Sequence, residues 1–218
     1  MLSFDYLLQF AAPLVMAAGV TIEVAAGAFV VATTLGMLLA SIRFFVPSRL
    51  IQIPIAIYIE VFRNVPSLTH LFIIFFGLAY VGIRLNSLTA AIIGLGLIGA
   101  AVLTEIFRAG FSAVDIGQRE AALAAGMTPR MIFREIILPQ TWRVTLPPIG
   151  NYAVQLVKDT SLVAAIAAPE IMFTARNLVV NTFQTTLVYG IAALLYLAIC
   201  IPLSRAIRRL ERRMAVPQ

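Results

Sequence analysis

Charged side chains stand inside otherwise apolar stretches at three places: Glu60 with Arg63, Glu105 with Arg108, and the adjacent Lys158 and Asp159, followed by Thr160 and Ser161. A charge at the centre of a membrane helix costs about 2.5–3.5 kcal/mol, so each group needs a partner or an aqueous cavity. Glu60 and Arg63 are three residues apart, share one helical face and can neutralise each other; Glu105 and Arg108 repeat that spacing. Lys158 and Asp159 point about 100° apart around a helix and cannot pair along one face. One reading is an ion pair to a neighbouring helix or a second subunit. The other is a polar patch with Thr160 and Ser161, Lys158 meeting the carboxylate of a zwitterionic solute and Asp159 its ammonium. Glu60, Arg63, Glu105, Lys158, Asp159, Thr160 and Ser161 are therefore the candidates for lining a solute path.

Covalent chemistry has no comparable set of residues. The one histidine, His70, lies in an apolar helix with no second metal-type ligand at helical spacing, so it reads as a hydrogen-bonded core residue. A lone histidine is no credible general base, and no Ser/His/Asp or Cys/His set accompanies it. Lys158 is the only lysine and follows Val157, so no phosphate-binding loop of the Gly-x-x-x-x-Gly-Lys-Ser/Thr type exists. The chain is expected to be no enzyme, to hold no metal or cofactor, and to leave any nucleotide hydrolysis to another chain. Cys200, the single cysteine, reads as a small apolar residue.

The elements that carry these residues follow from composition. Of 218 residues 61% are hydrophobic and 12% charged, with mean hydropathy +0.97, whereas soluble domains carry about 25% charged residues. No charge falls between Glu23 and Arg43, Arg63 and Arg84, Arg84 and Glu105, or Arg176 and Arg205. Each gap holds the roughly 20 residues that a helix needs to cross the hydrocarbon layer, and Val144 to Ile166 is a further candidate interrupted by Lys158-Asp159. An all-α integral membrane protein with five spans is expected, at about 19–42, 55–79, 86–107, 145–166 and 185–207. Residues 1–18 read as an interfacial or lead-in segment, retained because Asp5 stands where a signal peptide would be basic. Pro66 is placed to kink the second span.

Arginine sets the orientation, because short basic loops stay on the cytoplasmic side. With the N-terminus outside, twelve arginines fall inside and only Arg84 and Arg176 outside. The tail 208–218 then anchors on anionic headgroups rather than on nucleic acid.

Between the third and fourth spans, residues 109–143 form a loop too well punctuated to be slack. Asp115 with Gln118 can cap a first short helix, Gly126 suits a left-handed C-terminal residue, and Thr128-Pro129 starts a second helix that Pro139 is expected to break after Leu138. Such a hairpin either lies on the bilayer or, with Ala121, Ala122, Ala124 and Ala125 allowing close approach, docks a cytoplasmic partner.

The stretch Glu120-Ala121-Ala122, then Gly126, then Ile136, Leu138 and Pro139, resembles the EAA signature of permease subunits in bacterial ATP-binding-cassette importers. The likeness extends over about residues 19–213. YIEVFRNVP at 58–66, TEIFRAG at 104–110, GQREAALAAGM at 117–127, ILPQTWRVTLPPIGN at 137–151 and KDTSL at 158–162 are similar to the polar amino acid permeases. That resemblance implies a five-span type I importer core over 19–210 in the bacterial inner membrane. It also implies a coupling helix in which Glu120, Ala121, Ala122, Gly126, Leu138 and Pro139 engage a dimer of ATPase subunits that bind ATP and Mg. A second permease subunit, identical or homologous, and a periplasmic or extracellular binding protein complete the implied assembly. An ion-coupled secondary transporter using the intramembrane carboxylates is the competing expectation. Asn64-Val65 stands where the family has Gly-Thr, and Leu97 to Ala101 replaces its Asn-Ser-Gly run, which leaves the substrate open.

Overall fold

A computed structural model describes residues 4–214, which form helices joined by short turns; no strand occurs among them. Three helices are long and apolar enough to cross a membrane, and five crossings result if each of two bent helix pairs counts as one.

Helix α1 (Phe4–Phe45) absorbs the expected lead-in: residues 4–18 continue the first span without a break. Phe10 and Leu14 are buried there against α7 (Ile171–Thr182) and α8 (Thr185–Met214), so this part of the lead-in is packed core and not an interfacial strip. Residues 1–3 and the last four of the basic tail lie outside the described residues.

The second span departs most from a straight rod. It consists of α2 (Arg49–Asn64) and α3 (Ser67–Tyr80), set at 111° to one another. Proline lacks an N–H and pushes the preceding residue out of the helical region, and Val65 accordingly sits at φ −89°, ψ 137°. The expected single span over 55–79 is thus an elbow, of which α2 begins well before residue 55.

Helix α4 (Ser87–Ser112) starts where Asn86 Oδ1 accepts from the Thr89 N–H at 2.7 Å. It lies at the centre of the bundle, packed along α1 through small residues. Gly36 abuts Leu103, Gly96 abuts Val31, and Ala28, Ala32, Ala90, Ala91, Ala100 and Ala101 are buried. Without a hydrophobic driving force in lipid, helices associate where small residues let backbones approach and make many dispersion contacts. A side chain at Gly99 would meet Ala32 Cβ at 2.7 Å and the Tyr152 hydroxyl, both held by their own helices. Gly99→Val is therefore expected to cost about 1–3 kcal/mol or more and to remove most of the monodisperse protein on size-exclusion chromatography. Gly19→Val, at a site with nothing within 4 Å, should leave the yield unchanged.

After the short helix α5 (Ile116–Ala124), the chain enters α6 (Pro129–Ile166), a single long helix. The expected break at Pro139 does not occur. A π-turn over Phe133–Ile137 widens the helix just before the proline, with the Leu138 N–H donating to the Phe133 carbonyl. That wider turn makes room for the proline ring, which would otherwise strike the carbonyl one turn back. The second loop helix and the fourth span are in consequence one element, and the expected loop 109–143 shrinks at both ends, since α4 runs to Ser112. The top of α6 tightens into a 3-10 turn over Thr160–Ile166 and ends at Ala167, left-handed at φ 59°. From there α7 departs at 49°, and α8 returns across the bundle, 11% of its most apolar window buried.

Candidate functional site

Arg63 and Asp159 come from different elements and share one cavity of about 490 Å³. Arg63 ends α2 just before the elbow; Asp159 sits near the top of α6. Asn64, Ser67, Tyr152 and Gln155 add hydrogen-bonding groups to its wall, and Phe62, Ile98 and Val102 supply apolar surface. Gln155 Nε2 donates to Asp159 Oδ1 at 2.8 Å, fixing the carboxylate one turn above it. Tyr152 lies beside Gly99, midway along α4. A cation on one wall and a carboxylate on another, with amide and hydroxyl groups between, match the two charged ends of an α-amino acid.

Adjacent Lys158 does not join them. It lines two other cavities, one of about 580 Å³ with Ser161, Tyr189 and Tyr196, and one of about 210 Å³ with Asn151, Ser204 and Arg208. One of the two sequence readings gave the solute carboxylate to Lys158; in the structure the cation that lines the cavity with Asp159 is Arg63. Thr160 is fully buried and its hydroxyl donates to the Val157 carbonyl at 2.7 Å, a backbone role.

Glu60 and Arg63 do not neutralise each other. Glu60 accepts instead from the Asn64 amide at 2.8 Å, which leaves the Arg63 guanidinium to the cavity. The second expected pair does form and gains a member. Glu105 binds Arg108 at 2.7 Å on its own helix and Arg43, at the end of α1, at 2.8 Å. Gln52 of α2 extends this clamp, accepting from Arg43 Nε at 3.2 Å. Arg63 and Val102 also line a cavity of about 410 Å³ with Glu105 and Arg108, so those two residues form the wall it shares with the Asp159 cavity.

Between α4 and α6 the short helix α5 is closed at both ends as its residues dictate. Asp115 Oδ1 accepts from the Gly117 N–H at 2.8 Å. The expected reciprocal bond from Gln118 is absent, because the Gln118 amide oxygen accepts from Gln140 on α6 at 2.7 Å. At the other end Met127 N–H donates to the Ala122 carbonyl and Gly126 N–H to that of Leu123, with Gly126 at φ +81°. That bond pair is a Schellman closure, which glycine enters without the steric cost that a Cβ brings. Thr128 then caps α6, accepting from the Met131 N–H. Glu120, Ala121, Ala124 and Ala125 stay exposed, as do Ile116 and Leu123, whereas Ala122 faces inward and is buried. Leu138 and Pro139 lie at the foot of the straight part of α6, beside Gln140.

Sequence reasoning missed Glu170. Fully buried, it caps α7 by accepting from the Phe173 N–H at 2.8 Å and accepts from the Tyr196 hydroxyl at 2.7 Å. Glutamate is not a usual N-cap, and the tyrosine is far along the chain; only the Pro169-Glu170 pair ahead of an apolar helix hinted at it.

Comparison with known proteins agrees with this architecture. Residues 32–216 match the family described as "Binding-protein-dependent transport system inner membrane component". The probable amino-acid ABC transporter permease protein YckA of Bacillus subtilis (strain 168) is 42% identical over 151 residues, 69% of this chain and 67% of that protein. The probable glutamine ABC transporter permease protein GlnM of the same organism is 36% identical over 189 residues, 87% and 85% of the two chains. A solved structure described as an amino acid ABC transporter with histidines superposes with a TM-score of 0.83 at 30% identity, covering 96% of this chain and 95% of that one. A multi-pass helical protein with a type I importer permease fold, this chain belongs to the family of binding-protein-dependent transport system inner membrane components.

Proposed function

We propose that the chain forms half of the pore of an ATP-driven importer that carries polar or charged amino acids, or their derivatives, inward across the bacterial inner membrane. The observation that carries this reading is the cavity whose wall includes both Arg63 and Asp159, with Asn64, Ser67, Tyr152 and Gln155. The amino-acid transport named for relatives at 36% and 42% identity supports the same solute class.

A second permease subunit closes the pore, a separate binding protein delivers solute from outside, and a dimer of ATPase subunits holds ATP and Mg. Helix α5 is the docking element for that ATPase: it is short, capped at both ends, and displays Glu120, Ala121, Ala124 and Ala125 outward. The N-terminus lies outside and the C-terminus inside, which puts α5 and the arginines of α8 in the cytoplasm. The spans rock between inward-open and outward-open states as the ATPase dimer closes and opens.

Uptake of labelled glutamine, glutamate and arginine into proteoliposomes tests this, with the permease reconstituted alone and with its ATPase and binding protein. Accumulation of at least one amino acid is expected only with the complete set and ATP. Steady uptake by the permease alone, driven by a proton or sodium gradient, would establish an ion-coupled carrier instead.

A further inference from the structure

Helix α5 has to pass its motion to the spans, and one side chain ties it to two of them at once. Arg119 extends from α5 back into the protein: Nη2 donates to the Phe111 carbonyl at the end of α4, and the guanidinium carbon lies 5.2 Å from the centre of the Phe44 ring at the end of α1. Its Nε is buried without a hydrogen-bond partner. Beneath it the rings of Phe44, Phe111 and Phe133 are mutually in contact, with centroids 5.6 Å, 5.3 Å and 5.2 Å apart, and Phe45 adds an edge-on contact to Phe133 at 4.8 Å. These aromatics come from the ends of α1 and α4 and from the π-turn of α6, so one knot joins three long helices. Ala122, one turn beyond Arg119, is buried in the same cluster.

We infer that Arg119 is the positioning residue that fastens α5 to this aromatic knot, so that displacement of α5 moves α1, α4 and α6 together. The inference rests on the docking role of α5 proposed above. Arginine suits the task because its planar fork stacks on a ring face and donates in its own plane simultaneously. A lysine offers only a point charge on a flexible stem. Packed aromatic side chains resist deformation, so a ring cluster transmits a push instead of absorbing it. The Gln118–Gln140 bond fastens the same helix directly to α6.

The test uses the complete complex in proteoliposomes and reads amino acids imported per ATP hydrolysed. Arg119→Ala is expected to keep the ATPase bound and hydrolysing while imported solute per ATP falls about tenfold, and Arg119→Lys to recover only part of that ratio. Phe44→Leu should lower the ratio similarly, and the double variant should lose less than the product of the two single losses, since both remove the shared Arg119–Phe44 contact. A wild-type ratio in Arg119→Ala, full recovery in Arg119→Lys, or the full product of the two losses in the double variant would overturn the inference. So would loss of the ATPase from Arg119→Ala, which would make Arg119 a docking contact only. Glu120→Lys, on the outward face, separates the two readings: retained ATPase and uptake there would defeat the docking role itself.

Discussion

Replacing Gly126 by Trp is expected to abolish uptake and to release the ATPase during purification, while the permease still inserts and runs as a monodisperse species. Two effects add. Any side chain at φ +81° carries the left-handed penalty of about 1–2 kcal/mol, borne by the turn that closes α5. The larger effect is steric: nothing lies within 4 Å of the Cβ position, so an indole there stands in open space beside α5, which the proposed docking role gives to the ATPase. Gly126→Ala separates the two, because it keeps the backbone cost and removes the bulk; it should retain the ATPase and a measurable fraction of uptake. Glu120→Lys reverses the one exposed acidic charge on α5 and is expected to behave like the Trp variant. Co-purified ATPase, quantified against the permease, is the deciding measurement. Normal uptake in Gly126→Trp would remove α5 from the docking surface.

The second large effect belongs to the cavity. A hydrogen bond to a charged group contributes about 1.5–3 kcal/mol, so losing one end of a bound amino acid should cost about 10- to 150-fold in uptake at limiting solute. Arg63→Ala and Asp159→Ala are each expected to show that loss with ATPase association intact. Ser161→Ala, which faces the separate cavity with Lys158, should stay within about twofold of the parent. Equal losses in all three would mean that the charges hold helices together and contact no solute.

The crossings were legible because a bilayer sets a length and a helix must satisfy its own backbone, so long apolar runs name the spans even where Glu60 and Arg63 or Lys158 and Asp159 fall inside them. Local signals were equally readable where a backbone need coincides with a residue type, as at Asp115, Gly126 and Thr128. Pro66 announced a disturbance, but the size of the elbow depends on what the second arm lies against. His70 of α3 stacks on Phe62 of α2 at 4.4 Å and 7°, and Leu71 fills the hollow at Gly94. Neither contact can be read from a single helix. Pro139 misled in the opposite sense, because a π-turn accommodates a proline that a regular helix would not. Charge pairing was legible at three-residue spacing for Glu105 and Arg108, yet Arg43 reaches the same carboxylate from 62 residues away. The neighbours Lys158 and Asp159 were visible as a mismatch, whereas which of them shares a cavity with Arg63 depends on how α2 and α6 pack, which neither helix shows alone.

Continuity of α6 has a mechanical consequence. Its foot at Pro129 adjoins α5 and Asp159 stands thirty residues further along, a rise on the order of 45 Å at 1.5 Å per residue. A tilt of about 5° about that foot sweeps the carboxylate sideways by roughly 4 Å, more than the length of a hydrogen bond. On the function proposed above, a lever of this reach would turn a small stroke at the foot of α6 into the making or breaking of the solute's link to Asp159.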